Sequence, residues 1–384
     1  MNKLVLGVMA LTAATASADP KPDLAAIAEK IVTKGANVKE GEIVEIAVGP
    51  RDLELAEELA VAVHNHGAFG VIVYLSDNEY RKELAGPAKY DSKTDAGALA
   101  LAKAVNVRIT LEPLRDNSVF DKLTPERAAV MRAAGKPILD TLQKRSVRQI
   151  DLSNQLAPSA DRAKDYGITE AELAKIWMNG LAADYSAIQT KGGALKDLFA
   201  KGAELHITNP NGTDIKMKVK GRKSFVSDGV LTDEEVKQGG AAVNSWLPAG
   251  EFLIAPVPGT AEGTIVDDRW TYLGKEMLGV TAEVKAGKIT NITAKSGWDA
   301  YKSFADSAPA AGKEISGIDI GLNPAIKSTP KMRVFAAAGL ISITTGYNVH
   351  MGGTNTEPFA LAFQLAGSTI TLDGVTIVDA GVLK

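Results

Sequence analysis

Between residue 23 and about residue 190, short apolar runs alternate with stretches patterned for helices, and this alternation limits the fold more than any other feature. Leu24 to Thr33 has helical spacing and ends near Gly35. Ile43 to Val48 is a short apolar strand after the turn at Lys39-Glu40-Gly41. Asp52 stands where it can cap a helix whose apolar face includes Leu55, Leu59 and Val63, and Gly67 stops that helix. Val71 to Leu75 then predicts another buried strand. A helical stretch, Ala96 to Ala104, leads into a strand at Val107 to Leu111. Thr124-Pro125-Glu126 opens the next helix with proline in its first turn. Val147 to Leu152 closes the series. Strands that alternate with helices pack as a mostly parallel sheet covered on both faces.

Residues 158–202 read as helical. Thr169 with Glu172 three residues on forms a capping box. Gly192-Gly193 predicts a break before a further helix, Ala194 to Lys201. The pattern changes after residue 202. Glu204 to Thr208 and Asp214 to Val219 flank Asn209-Pro210-Asn211-Gly212, a hairpin turn. Short strands follow at Phe252 to Ala255, Gly263 to Val266, Val280 to Val284 and Ile289 to Thr293, with one helix near Gly297 to Ala305. The expectation is an α/β N-terminal domain with a mostly parallel sheet over 19–202. A β-rich (α+β) C-terminal domain over 203–384 follows it.

Residues 1–18 have the parts of a secretory signal: Lys3, an apolar run from Leu4 to Leu11, and small residues ending at Ala16-Ser17-Ala18. The apolar run is shorter than the about 20 residues that a membrane span needs. No later stretch is long and apolar enough to span. The chain is therefore expected to be exported, periplasmic or secreted, with cleavage near Ala18. It contains no cysteine, which excludes a lipoprotein anchor, disulfides, thiol catalysis and thiolate metal ligation. The net charge of −3, without a basic run or aromatic-basic interleaving, excludes nucleic acid as an expected partner.

Four histidines are present. His64 and His66, two apart at a helix end, lie on different faces and read as dipole-facing residues. His206 sits in a hairpin strand. His350 differs, because it follows the strand Leu340 to Thr344 and precedes the small residues Gly352-Gly353. In Leu247-Pro248-Ala249-Gly250-Glu251 a carboxylate enters an apolar strand directly after a tight turn. Such a group is costly if buried unpaired, and a metal ion would resolve the cost. Thr369 to Gly374 reads as a strand running into an Asp-Gly turn.

Leu247-Pro248-Ala249-Gly250-Glu251, followed by Ala255-Pro256 and Gly263-Thr264-Ile265-Val266, resembles the central signature of the aminopeptidase T/aminopeptidase S family of metallo-aminopeptidases. Val38 to Glu42, Asp165 to Thr169, Asn211 to Asp214, Gly321 to Pro324 and Val349 to Met351 agree in order. The resemblance implies an α/β N-terminal domain, a β-rich C-terminal domain with a two-metal site, a peptide substrate, and often a homodimer. It implies zinc, cobalt or manganese, one or two ions, on carboxylate and imidazole ligands. Carried over by position, the bridging glutamate falls on Glu251, the first histidine on His350 and the final aspartate on Asp373. The second glutamate falls on Gly317, with Asp319 two residues on along the same strand face as its substitute. The second histidine falls on Thr371, and neither the tyrosine after the first histidine nor the acidic pair before it has a match.

The expected function is an exported, metal-dependent aminopeptidase-like hydrolase with a degenerate metal site. Glu251 is its catalytic residue, and Glu251, Asp319, His350 and Asp373 are the metal ligands. The alternative is a catalytically inactive binding or structural protein on a peptidase fold, motivated by Gly317 and Thr371. A third reading keeps one ion for oxygen chemistry, since one histidine and two carboxylates can hold iron.

Overall fold

The computed structural model describes residues 22–272 and 275–384. The expected export signal, residues 1–18, lies outside the described residues. The parallel sheet runs in the order Phe69–Tyr74, Ile43–Val48, Val107–Thr110, Arg148–Asp151 and Asn244–Trp246. Its apolar positions (Val44, Ile46, Val107, Ile109 and Ile150) are buried between covering helices, as the alternating pattern predicts. Its fifth strand is supplied by residues well beyond 202, which the local pattern did not reveal.

Two expectations are corrected here. The strand Phe69–Tyr74 is an exposed edge and not a buried strand, with Phe69 62% and Ile72 47% exposed. It pairs with Ile43–Val48 on one side, and apolarity alone does not tell an edge from a centre. The helix Ser186–Phe199 runs unbroken through Gly192-Gly193. A Cβ on Gly192 would stand 2.5 Å from Val226 Cγ1, so glycine there serves close helix-to-strand packing.

The second half folds into two antiparallel sheets among the described residues. One has eight strands and includes the hairpin Glu204–Asn209 and Thr213–Lys218. The other, the central sheet, runs in the order Ala362–Leu365, Ile341–Thr345, Ile315–Gly321, Glu251–Ile254 and Ser224–Ser227. One face of the central sheet is covered by the helix Ser186–Phe199, where the Phe199 and Phe252 rings lie 4.5 Å apart. Side chains alternate along a strand, so Glu251 and Leu253 point to the opposite face. A single apolar cluster joins both halves, from Ile27 to Val378.

Candidate active site

The site lies where the parallel sheet hands the chain to the central sheet. Strand Asn244–Trp246 pairs with Arg148–Asp151, and the Leu247 N–H donates to Asp151 O at 2.7 Å. A four-residue loop containing the cis bond Leu247-Pro248 follows, and strand Glu251–Ile254 then begins. The loop is laced on both sides. Asn154 Nδ2 donates to Pro248 O at 2.8 Å, Asn323 Nδ2 donates to Ala249 O at 2.7 Å, and the Leu322 N–H donates to Gly250 O at 2.8 Å. Gly250 has φ +134°, and a Cβ there would meet the Asn323 backbone nitrogen at 2.8 Å, so this position demands glycine. The Leu247–Glu251 and Gly321–Pro324 segments are thus one structural device, and its product is the placement of Glu251.

Glu251 pairs in register with Gly321, and Leu253 with Asp319. Glu251 and Asp319 are therefore diagonal neighbours on one face. Both are buried, and their carboxyl groups contact each other. Burial holds the Glu251 carboxyl well above the usual carboxylate range; Asp151 nearby adds to the rise, and the Asn154 side chain opposes it. Burial first, and then Glu251 itself, push Asp319 up as well. Glu251 Oε1 and Asp319 Oδ1 are buried without a hydrogen-bond partner. An unpartnered buried carboxyl oxygen costs several kcal/mol on the order of the transfer penalty for a polar group.

A cavity of about 210 Å³ opens over this pair, and His350 lines it. The imidazole stacks on Tyr347 at 5.4 Å between ring centres and meets the edge of Trp246 at 5.5 Å. Burial pushes its pKa down to about 4, so the ring is neutral at ordinary pH. The structure thus brings Glu251 and Asp319 together and places His350 in the same cavity.

Asp373 is not with them. It is exposed at a hairpin tip with φ +49°, and its carboxylate accepts from the N–H groups of Ala203 and Glu204, each at 2.9 Å. Its role is to cap a turn in the eight-stranded sheet; the Asp-Gly turn signal described it better than its place in the resemblance did. Thr371 lies in the same sheet, paired with His206. Of the other three histidines, two are engaged elsewhere, His66 with Glu29 at 2.8 Å and His206 with Asp214 at 2.7 Å. Asp52 stands before its helix as expected, but its carboxylate is spent on a buried ion pair with Arg115 and not on the cap.

The donor set decides what ion the site fits. Two buried carboxyl oxygens without partners suit a divalent cation. Among the described residues no three histidine, aspartate or glutamate side chains stand together as a ligand group. A Cβ on Gly317 would lie 2.2 Å from Met351 Sδ and 2.5 Å from Thr344 Oγ1. The place where the resemblance puts a second glutamate is filled by a thioether and a hydroxyl. Glu251 and Asp319 offer two carboxyl oxygens to a divalent ion, and no third carboxylate stands at Gly317.

The first half contributes the rest of the cavity wall. Asp151, Ser153, Asn154 and Gln155 follow the carboxyl end of Arg148–Asp151, and Glu112 follows that of Val107–Thr110. Carboxyl ends of parallel strands are the usual ligand edge of an α/β sheet. Glu112, Asn154 and Gln155 all have positive φ, at +45°, +36° and +62°. Sequence reading passed over these residues, although the position of Asp151 at a strand's carboxyl end was the available signal.

Comparison with known proteins places the chain in a family. Residues 21–313 match the family described as thermophilic metalloprotease (M29). Glu251 falls inside that match, and Asp319, His350 and Asp373 lie beyond it. The chain is 24% identical over 316 residues to aminopeptidase PepS of Streptococcus thermophilus, covering 74% of this chain and 73% of that one. Wild-type AmpT from Thermus thermophilus shares the fold with a TM-score of 0.70 at 18% identity, over 94% of this chain and 98% of that chain. A 2,5-dihydroxypyridine dioxygenase from Pseudomonas putida KT2440 shares it with a TM-score of 0.58, also at 18% identity, over 94% and 96%. The fold therefore carries more than one chemistry, but the family match spans most of the chain: this protein belongs to the M29 thermophilic metalloproteases, a family of peptide hydrolases whose metal is a divalent ion.

Proposed function

We propose that the chain is a metal-dependent aminopeptidase-type hydrolase working with one divalent ion, zinc, cobalt or manganese. The observation that carries this reading is the buried Glu251–Asp319 pair with its two unpartnered oxygens in a cavity shared with His350. Glu251 and Asp319 would hold the ion, with His350 the nearest imidazole. When bound, such an ion supplies an activated water and polarises the scissile carbonyl. The chain's own residues do the remaining work. The Asp151 carboxylate, held by the Ser153 N–H at 2.6 Å, faces the cavity as a partner for the substrate's free α-ammonium group. The Asn154 amide, fixed to Pro248 O, orients Glu251. Trp246, Leu253 and Met351 exclude bulk water.

The test is metal analysis of protein purified without chelators, together with cleavage of aminoacyl-arylamides in the presence of zinc, cobalt or manganese. About one metal equivalent and cleavage abolished by Glu251→Ala are expected. Absence of cleavage with all three metals would overturn the reading. A second reading, a binding protein on the inherited fold, is favoured by the filled place at Gly317. It expects no bound metal and no change in melting temperature on adding one.

The signal-like residues 1–18 support export, and N-terminal sequencing of protein from a periplasmic or secreted fraction is expected to begin at Asp19. The exposed apolar edge Phe69–Tyr74 supports a homodimer, which light scattering of the purified protein would detect.

A further inference from the structure

A second cavity, of about 260 Å³, adjoins the first, and the two share Glu112, Gln155 and Arg162 in their walls. Its lining carries five cations, Arg115, Arg162, Arg269, Lys331 and Arg333, against two carboxylates, Glu112 and Asp165. The counter-charges of three of these arginines stand outside the lining. Arg115 pairs with Asp52, Arg269 with Glu276, and Arg333 with Asp267. Arg162 and Glu112 form a two-bond pair, each bond 2.7 Å, in the shared wall. Lys331 is exposed and makes no ion pair among the described residues. Thr271 Oγ1 is buried, lines the same cavity and has no hydrogen-bond partner.

Three of the five cations have their carboxylates outside the lining, so the groups that line the hollow are more often positive than negative. Arginine is suited to planar two-point recognition of carboxylates. Gln155 fixes the wall, since its Oε1 accepts from the Phe335 N–H at 3.1 Å and from Gln364 Nε2 at 3.0 Å. The annex thus sets arginine and lysine groups in a hollow next to the cavity of the carboxyl pair.

We propose that this arginine-lined annex binds a carboxylate of the peptide substrate while its amino end lies at Glu251 and Asp151, so that the protein selects short or acidic peptides. The proposal rests on the peptidase reading of the neighbouring cavity. The carboxylate has two sources, the C-terminus of a short peptide or an acidic side chain, and the chemistry recognised is the same.

Calorimetric titration of the full mature chain separates them, run with chelator present so that no turnover accompanies binding. The probes are Ala-Ala, Ala-Ala-amide and Ala-Glu-amide. A charged hydrogen-bonded contact predicts about 10-fold or more tighter binding of a carboxylate-bearing probe than of Ala-Ala-amide. Preference for Ala-Ala assigns the annex to the terminal carboxylate, and preference for Ala-Glu-amide assigns it to the side chain. In Arg162→Gln the discrimination is expected to fall below about 3-fold. The double variant Arg269→Gln, Lys331→Ala, which leaves the Arg162–Glu112 pair intact, keeps the test open if Arg162→Gln does not fold, and is expected to weaken discrimination several-fold. Equal or absent binding of all three probes by the unmodified chain overturns the proposal. Arylamide cleavage without acid–amide discrimination removes the annex and leaves the peptidase reading standing; discrimination without cleavage does the reverse.

Discussion

Single positions in this chain carry contradictory demands, and Gly317 is the sharpest. A side chain there meets Met351 Sδ and Thr344 Oγ1 at distances no real Cβ tolerates. Gly317→Ala is expected to cost about 1–3 kcal/mol in a denaturant titration. Asp373→Ala removes two bonds to backbone N–H groups and is expected to lower stability by about 1 kcal/mol, with metal content and cleavage unchanged. A loss of bound metal in that variant would return Asp373 to the ligand set. Asp228 gives the pH dependence. Burial raises its carboxyl from 3.8 to about 6 in the folded chain. Between those values the folded state holds the extra proton, so stability falls as pH rises through the window, and the deficit is complete above about pH 6. At roughly 1.4 kcal/mol per pH unit, discounted for partial exposure, Asp228→Asn should stabilise by about 1–2 kcal/mol at pH 7.5. The gain should vanish near pH 4, which melting curves across pH would read.

Elements were legible in proportion to how local their causes are. The strand Ile43–Val48, the helix Ala96–Ala104 and the capping box on Glu170–Ala182 follow from apolar period and end chemistry, and the structure has them where the sequence placed them. The unbroken helix Ser186–Phe199 was not legible, because the reason for Gly192 is Val226, a residue on another element. Gly192→Leu is expected to destabilise by more than about 1 kcal/mol despite its better helix propensity, and a thermal melt would decide between packing and propensity. The exposure of Phe69–Tyr74 was hidden for the same reason, since neighbours across a sheet leave no mark on a strand's own pattern. Ile72→Lys places a charge on that edge, and if the edge pairs with a second copy, light scattering should show a smaller particle with unchanged circular dichroism.

At the scale of the whole molecule, the fold class was readable and the site only half so. A resemblance pointed to Glu251, Asp319 and His350, and all three line one cavity. Glu112, Asp151, Asn154 and Gln155 were passed over because residues at strand ends have no periodic signature, and what unites them is topology. Asp373 lies apart from them, next to a strand of the eight-stranded sheet, because order along a chain does not fix which sheet a strand joins. The segment from Asn244 to Ile254 belongs to two sheets within eleven residues of chain, so it couples their fluctuations. Amide exchange at Phe252 and Leu247 should consequently slow together when any ligand settles in either cavity, making this short stretch a built-in gauge of occupancy for both halves of the protein.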